Sequence, residues 1–141
     1  MSGAARRFLR LAAIFGMTAV MLGAFAAHGL KSKLDPAQLA NFDTGVRYQM
    51  FHAIALLAVA ILLDRAAEKS PDRIPPRPLI AAGGIFTAGI IFFSGSLYLL
   101  TTRGLLGIEN WKWLGPITPL GGVCFITGWL CLFVSTFTRP R

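Results

Sequence analysis

The sequence predicts an all-α fold: a polytopic membrane protein built as a four-transmembrane-helix bundle, with a short interfacial helix in the first loop. Three observations lead there. Four uncharged apolar stretches, Leu11 to Leu30, Tyr48 to Leu63, Leu79 to Thr102 and Leu114 to Thr138, take up most of the 141 residues. Each meets or nearly meets the roughly 20 apolar residues needed to cross a hydrocarbon layer about 30 Å thick. The composition is 55% hydrophobic and only 14% charged, with a mean hydropathy of +0.62 and 15 glycines, and glycine is commoner in membrane helices than in soluble ones. Lipid offers the backbone no hydrogen-bond partner, so such runs are stable only as helices. One membrane domain over residues 1–141 is expected, with spans near 8–30, 46–63, 79–102 and 114–138 and a middle loop over 64–78.

The first span follows Arg6, Arg7 and Arg10, and its small residues Ala12, Gly16, Ala19, Gly23 and Ala26 recur at intervals of four and three. Ala24-Phe25-Ala26 resembles a signal-peptide cleavage site, but the apolar run continues past it to Leu30 before Lys31 and Lys33 stop it. In the first loop Asp35-Pro36 reads as an amino-terminal cap with proline at the first helical position. Leu39, Phe42 and Val46 then make a partial apolar face, which predicts a short interfacial helix before Gly45 and the second span. Asp43 and Arg47 are four apart and can pair if the helix is continuous. The second span is the shortest, and Ala53, Leu56 and Ala60 give it the bulk of a shared core.

Ser70-Pro71 and Pro75-Pro76, set among charges, mark the middle loop as a solvated linker. The third span carries Ala81, Gly84, Ala88 and Gly95, and the fourth carries Gly121, Cys124, Gly128, Cys131 and Ser135. Lipid tails give helices no hydrophobic reason to associate, so small-residue stripes of this kind are the natural packing faces. Gly16, Gly23, Ala88, Gly95, Gly121 and Gly128 are the expected close-approach positions. Trp111 and Trp113 beside Gly115-Pro116 read as interface anchors.

The formal net charge of +8 does not point to nucleic acid, because the basic residues sit at span ends and in short loops rather than in one patch. Arg6, Arg7, Arg10, Arg65, Lys69, Arg73, Arg77, Arg139 and Arg141 outnumber Lys31, Lys33, Arg47, Arg103 and Lys112 on the alternate loops. The positive-inside rule then places both termini in the cytoplasm of a bacterial inner membrane, or in the matrix if the membrane is mitochondrial. Cys124 and Cys131 lie on one helix roughly 10 Å apart, too far for a disulfide between them, and read as small packers.

Polar residues inside a membrane are costly, so their placement is the best functional signal. His28, Arg47, Tyr48, Gln49, His52, Ser94, Ser96, Tyr98 and Thr118 gather toward one membrane face, the outer one under the expected topology. Three readings of this cluster stay open. It is a hydrogen-bonded plug that fixes helix register, a small-molecule, quinone or ion site using the histidines as proton-exchanging groups, or a metal or haem site on His28 and His52. Two histidines without a third ligand are weak evidence for zinc, so no metal and no cofactor are assigned. Glu109 and Asp64 lie at helix ends, no histidine has an evident nucleophile, and no glycine-rich loop carries a phosphate-binding lysine. A conventional enzyme is not expected.

Four motifs in order, Gly23-Ala24-Phe25-Ala26-Ala27-His28-Gly29-Leu30, Thr44-Gly45-Val46-Arg47-Tyr48-Gln49-Met50-Phe51-His52-Ala53, Phe93-Ser94-Gly95-Ser96-Leu97-Tyr98 and Leu114-Gly115-Pro116-Ile117-Thr118-Pro119-Leu120-Gly121-Gly122, resemble the YgdD-like family of small inner-membrane proteins. The resemblance implies four spans, a bacterial inner membrane with mitochondrial relatives, and no established biochemical activity. Ala26 stands where that family often has glycine. The combined expectation is a non-enzymatic membrane protein acting as an accessory or assembly partner of a larger membrane complex, docking through exposed residues such as Ile90, Phe92 and Leu99. The alternatives are a small transporter, channel or quinone- or lipid-binding protein using the cluster, and a haem- or metal-binding electron-transfer subunit.

Overall fold

A computed structural model describes residues 1–69 and 76–137. The loop motif Ser70-Pro71, Arg73, Pro75, and the tail residues Thr138, Arg139 and Arg141, lie outside the described residues. Four helices are long and apolar enough to cross a membrane: α1 (Gly3–Leu30), α2 (Pro36–Lys69), α3 (Arg77–Leu106) and α4 (Ile117–Ser135). No strand occurs among the described residues.

Ser2 caps α1, its hydroxyl accepting the Ala5 N–H at 3.2 Å. Ala5, Ala12, Ala19 and Ala26, each seven residues from the next, are all buried, with Phe8 on the same strip. This 3.5-residue repeat is the seam of a coiled-coil-like contact, and alanine lets the backbones approach. The seam packs along α2, whose own buried residues keep the same register: Phe42, Gly45, Gln49, His52, Leu56, Val59 and Leu63. Two strongly polar residues, Gln49 and His52, therefore occupy core positions. The Ser2 N–H bonds Asp64 Oδ1 at 3.3 Å, which sets the start of α1 beside the end of α2, as an antiparallel hairpin requires.

The first loop ends in a reciprocal capping box. Asp35 Oδ1 accepts the Gln38 N–H at 2.8 Å, and Gln38 Oε1 accepts the Asp35 N–H at 3.1 Å. The interfacial helix expected from the sequence is present only as the opening turns of α2, which runs unbroken through Gly45 for 34 residues. The physical reason lies around that glycine. Arg47 pairs with Asp43 at 2.6 Å across it, and Gly45 is buried where Leu97 and Tyr98 of α3 come close, so its missing side chain serves packing rather than a turn. At about 1.5 Å per residue α2 is roughly 50 Å long, well beyond the hydrocarbon layer, so its ends project past it.

α1 closes on a π-helical turn, Ala26–Leu30, and α3 is interrupted by another, Ile90–Ser94. Each wide turn inserts about one residue and rotates everything after it by roughly 100°. α3 stops at Gly107, whose φ of 69° places it in the left-handed region and lets its N–H bond the Arg103 carbonyl. A single 3-10 turn, Lys112–Leu114, leads to α4.

Interhelical packing follows a repeated rule in which an aromatic side chain covers a glycine. Phe8 of α1 covers Gly83, Phe125 of α4 covers Gly89, and Phe86 of α3 covers Gly128. Gly121 makes the closest approach, with Phe93 Cα only 2.7 Å from where its Cβ would sit, so α4 rides directly on the backbone of the π turn. Of the other expected packing positions, Gly23 meets Val46 at 3.4 Å and Ala88 is half-buried.

Gly16 and Gly95 correct the expectation, since open space surrounds the Cβ position of each. Gly16 lies to one side of the alanine seam, and the expected stripe of α3 misses the packing face from its start: Ala81 and Gly84 are exposed, and open space surrounds the Cβ positions of Gly84 and Gly95 alike. α1 and α4 turn broad apolar faces outward, with Ile126 and Val20 more than 60% exposed, the natural arrangement against lipid. Phe92 and Leu99 of α3 are exposed to a lesser degree, 44% and 36%. Ile90, expected outside, is instead buried in the core between the helices.

Candidate functional site

The buried polar residues of the bundle are Gln49, His52, Ser94, Ser96 and Thr101. Gln49 is the hub. Its Nε2 donates to the Phe15 carbonyl at 2.9 Å and to Thr18 Oγ1 at 2.8 Å, both on α1, while its Oε1 accepts the Tyr98 hydroxyl of α3 at 2.8 Å. One amide thereby ties three helices. Thr18 in turn donates to the Ile14 carbonyl at 2.9 Å.

His52 joins α2 to α4. Its Nδ1 lies 2.8 Å from the Tyr48 carbonyl, and its Nε2 lies 3.2 Å from Trp129 Nε1. The indole N–H can only donate, so Nε2 is the acceptor and the proton belongs on Nδ1, where the carbonyl receives it. Both ring nitrogens are engaged, which leaves no lone pair for a metal. The imidazole is also stacked on Phe125, with centroids 3.5 Å apart and planes 9° apart.

Ser96 joins α3 to α4 through a 2.7 Å bond to Thr118 Oγ1, and it also donates to the Phe93 carbonyl within the π turn. Thr101 returns its hydroxyl to the Leu97 carbonyl at 2.8 Å. Ser94 is the exception. Its fully buried hydroxyl faces the Tyr98 phenol yet makes no hydrogen bond of good geometry.

Three of the expected cluster residues, His28, Arg47 and Tyr48, stand elsewhere than the sequence suggested or play another part. His28 lies in the π turn of α1, is exposed, and takes no part in the bonds that join the cluster. It does not share a site with His52. Arg47 is exposed and held by Asp43. Tyr48 is 40% exposed and contributes its carbonyl and a ring face against Phe93 at 4.7 Å, not its hydroxyl. Thr118 is half-buried and bonded to Ser96 alone of the cluster.

Sequence reasoning missed Thr18, Phe125 and Trp129. Trp129 carried a usable signal: a tryptophan in mid-span, far from either interface, has an N–H that needs a partner.

Among the described residues no group of three or more His, Cys, Asp or Glu is placed to hold a metal ion. Cys124 and Cys131 are half-buried thiols. Three open grooves follow the α1–α2 seam, of about 390, 340 and 280 Å³, and none is lined by Gln49, His52, Ser94, Ser96, Tyr98 or Thr118.

Fold and site together define a four-span, all-helical membrane protein whose intramembrane polar groups bond one another across all four helices. The family model described as a protein of unknown function (DUF423) matches residues 22–122, a stretch that contains both π turns and most of the polar network. The chain belongs to that family. It is similar to the UPF0382 membrane protein YwdK of Bacillus subtilis, 41% identical over 128 residues that cover 91% of this chain and 94% of the relative. It is also similar to a UPF0382 membrane protein of Haemophilus influenzae, 40% identical over 131 residues, covering 93% and 94%. No solved structure matches it.

Proposed function

We propose that this chain is a non-catalytic protein of the bacterial inner membrane, in keeping with its likeness to YgdD-like proteins. Both termini are cytoplasmic, and it works as an accessory or assembly partner of a larger membrane complex. The observation that carries the reading is the closure of the polar cluster: Gln49, Tyr98, Thr18, His52 and Trp129 spend their hydrogen bonds on one another and on the backbone. A cluster that served a substrate would aim donors and acceptors into a cavity. Interhelical bonds of this kind hold a bundle in one register, which suits a rigid docking body. The outward faces of α1 and α4 supply the apolar area for docking. Asp43–Arg47 and the tryptophan pair Trp111 and Trp113, 5.4 Å apart, fit the interfacial levels.

The test is isolation of the native protein in a gentle detergent, with mass spectrometry and an absorption spectrum of the isolated particle. Companion subunits in fixed stoichiometry support the accessory role. A lone monomer in every gentle detergent, or one carrying a stoichiometric quinone or haem, rejects it. Orientation is tested separately by labelling single cysteines placed at Gln38 and Glu68 from either side of the membrane, with Glu68 expected on the cytoplasmic side.

A further inference from the structure

The α1–α2 seam carries a feature that the polar network does not use. Two grooves, of about 340 and 280 Å³, lie one after the other along one face of α2, with Leu9 lining both. The first is lined at its polar end by Asp64, Arg65 and Glu68, the second by Met50, Ala53 and Leu57 against Ala13 and Gly16 of α1. We propose that this seam binds one phospholipid whose headgroup carries both a phosphate and a primary ammonium, a phosphoethanolamine-type lipid. The proposal is independent of the accessory role.

Depth argues for a lipid chain. From Ile61, the last apolar residue at the charged end, to Met50 the seam runs roughly 16 Å, about half of a hydrocarbon layer of ~30 Å and so the depth of one leaflet. Past Met50 the seam narrows where Val46 Cγ1 stands 3.4 Å from the Cβ position of Gly23, before a third groove opens between Gly23 and Leu39. The half so bounded has the length of a single acyl chain. Gly16 keeps the floor of that half clear, with nothing within 4 Å of its Cβ position.

Charge argues for the headgroup. Asp64 is occupied by the Ser2 N–H at 3.3 Å and by the amino-terminal ammonium of Met1 at 3.5 Å, which also lies at this end of the groove. Arg65 and Glu68 are exposed, three residues apart on one helix face, and are not bonded to each other. A guanidinium matches the phosphate as a fork of donors. A carboxylate accepts hydrogen bonds from a primary ammonium, which a quaternary choline cannot give and an anionic glycerol headgroup lacks.

The test is native mass spectrometry of the full-length protein released from nanodiscs made of equal parts phosphatidylethanolamine, phosphatidylcholine and phosphatidylglycerol. One retained phosphatidylethanolamine per chain is expected, favoured over each of the others about tenfold, the scale of one charge-assisted hydrogen bond. E68Q should remove the preference over phosphatidylcholine, and R65Q should weaken retention of all three. G16L should displace the lipid from a protein whose circular dichroism and unfolding midpoint are unchanged, since no neighbour stands in its way. Equal retention of the three lipids, a preference for phosphatidylglycerol, or a G16L variant that keeps its lipid would each overturn the assignment. So would a dimer that forms only when lipid is stripped, because a second copy would then be the occupant.

Discussion

Replacing Gln49 by leucine keeps the volume of the side chain and deletes its three hydrogen bonds, two to α1 and one to α3. Interhelical hydrogen bonds in membrane proteins average about 0.6 kcal/mol each, so the loss comes to about 2 kcal/mol, close to a thirtyfold change in the folding equilibrium. Y98F removes only the bond to Gln49 Oε1 and should cost about 0.6 kcal/mol. The double variant should cost no more than Q49L alone, because the two substitutions delete the same bond. The assay is reversible unfolding in mixed micelles by titration with a denaturing detergent, followed by far-ultraviolet circular dichroism. If Q49L proves as stable as the native chain, or if its cost and that of Y98F simply add, Gln49 is not the hub described above.

Gly121→Ala should cost about 2 kcal/mol or more in the same assay, because the added methyl meets the Phe93 backbone, which cannot move aside as a side-chain tip can. Gly95→Ala, where the Cβ points into open space, should be neutral or slightly stabilising. Ser94→Ala removes a buried hydroxyl that has no good partner, so stability should hold or rise by up to about 1 kcal/mol. Asp35→Ala breaks the capping box and should cost about 1 kcal/mol locally, read as faster amide hydrogen exchange at Gln38 and Leu39, with Asp35→Asn close to native.

Much of the architecture is legible in the residues, and the places where it is not have physical causes. Apolar run length was enough to find four helices, and the Asp35-Pro36 and Asp43–Arg47 spacings gave a cap and a pair that both exist. Gln49 meets Tyr98 and Ser96 meets Thr118 across helices, while His52 finds Trp129 instead. What one-dimensional spacing cannot carry is rotation about the helix axis. Nor can it carry register: with Thr18 level with Gln49 and Gly23 beside Val46, His28 lies far beyond the level of His52, exposed in the π turn at Ala26–Leu30. On α3 the packing face carries Gly83 and Gly89, which receive Phe8 and Phe125, while Gly84 and Gly95 of the expected stripe point into open space.

Gly45 shows a second kind of ambiguity. A glycine between an apolar face and a span reads as a break, yet here the small residue admits Tyr98 and the helix continues. Thr18 looks ordinary in a span, and its role follows only once Gln49 is known to need partners.

The claim on which the rest depends is that the polar cluster is closed on itself, and its most direct test is the tautomer of His52 in a lipid bilayer. Nitrogen-15 solid-state NMR of imidazole-labelled protein reads it, with Trp129→Phe as the partner variant. The account predicts a proton on Nδ1, a bare Nε2, and an Nε2 resonance that shifts when the indole N–H is removed. A proton on Nε2, or an Nε2 resonance indifferent to Trp129→Phe, would contradict it and reopen the cluster as a ligand site.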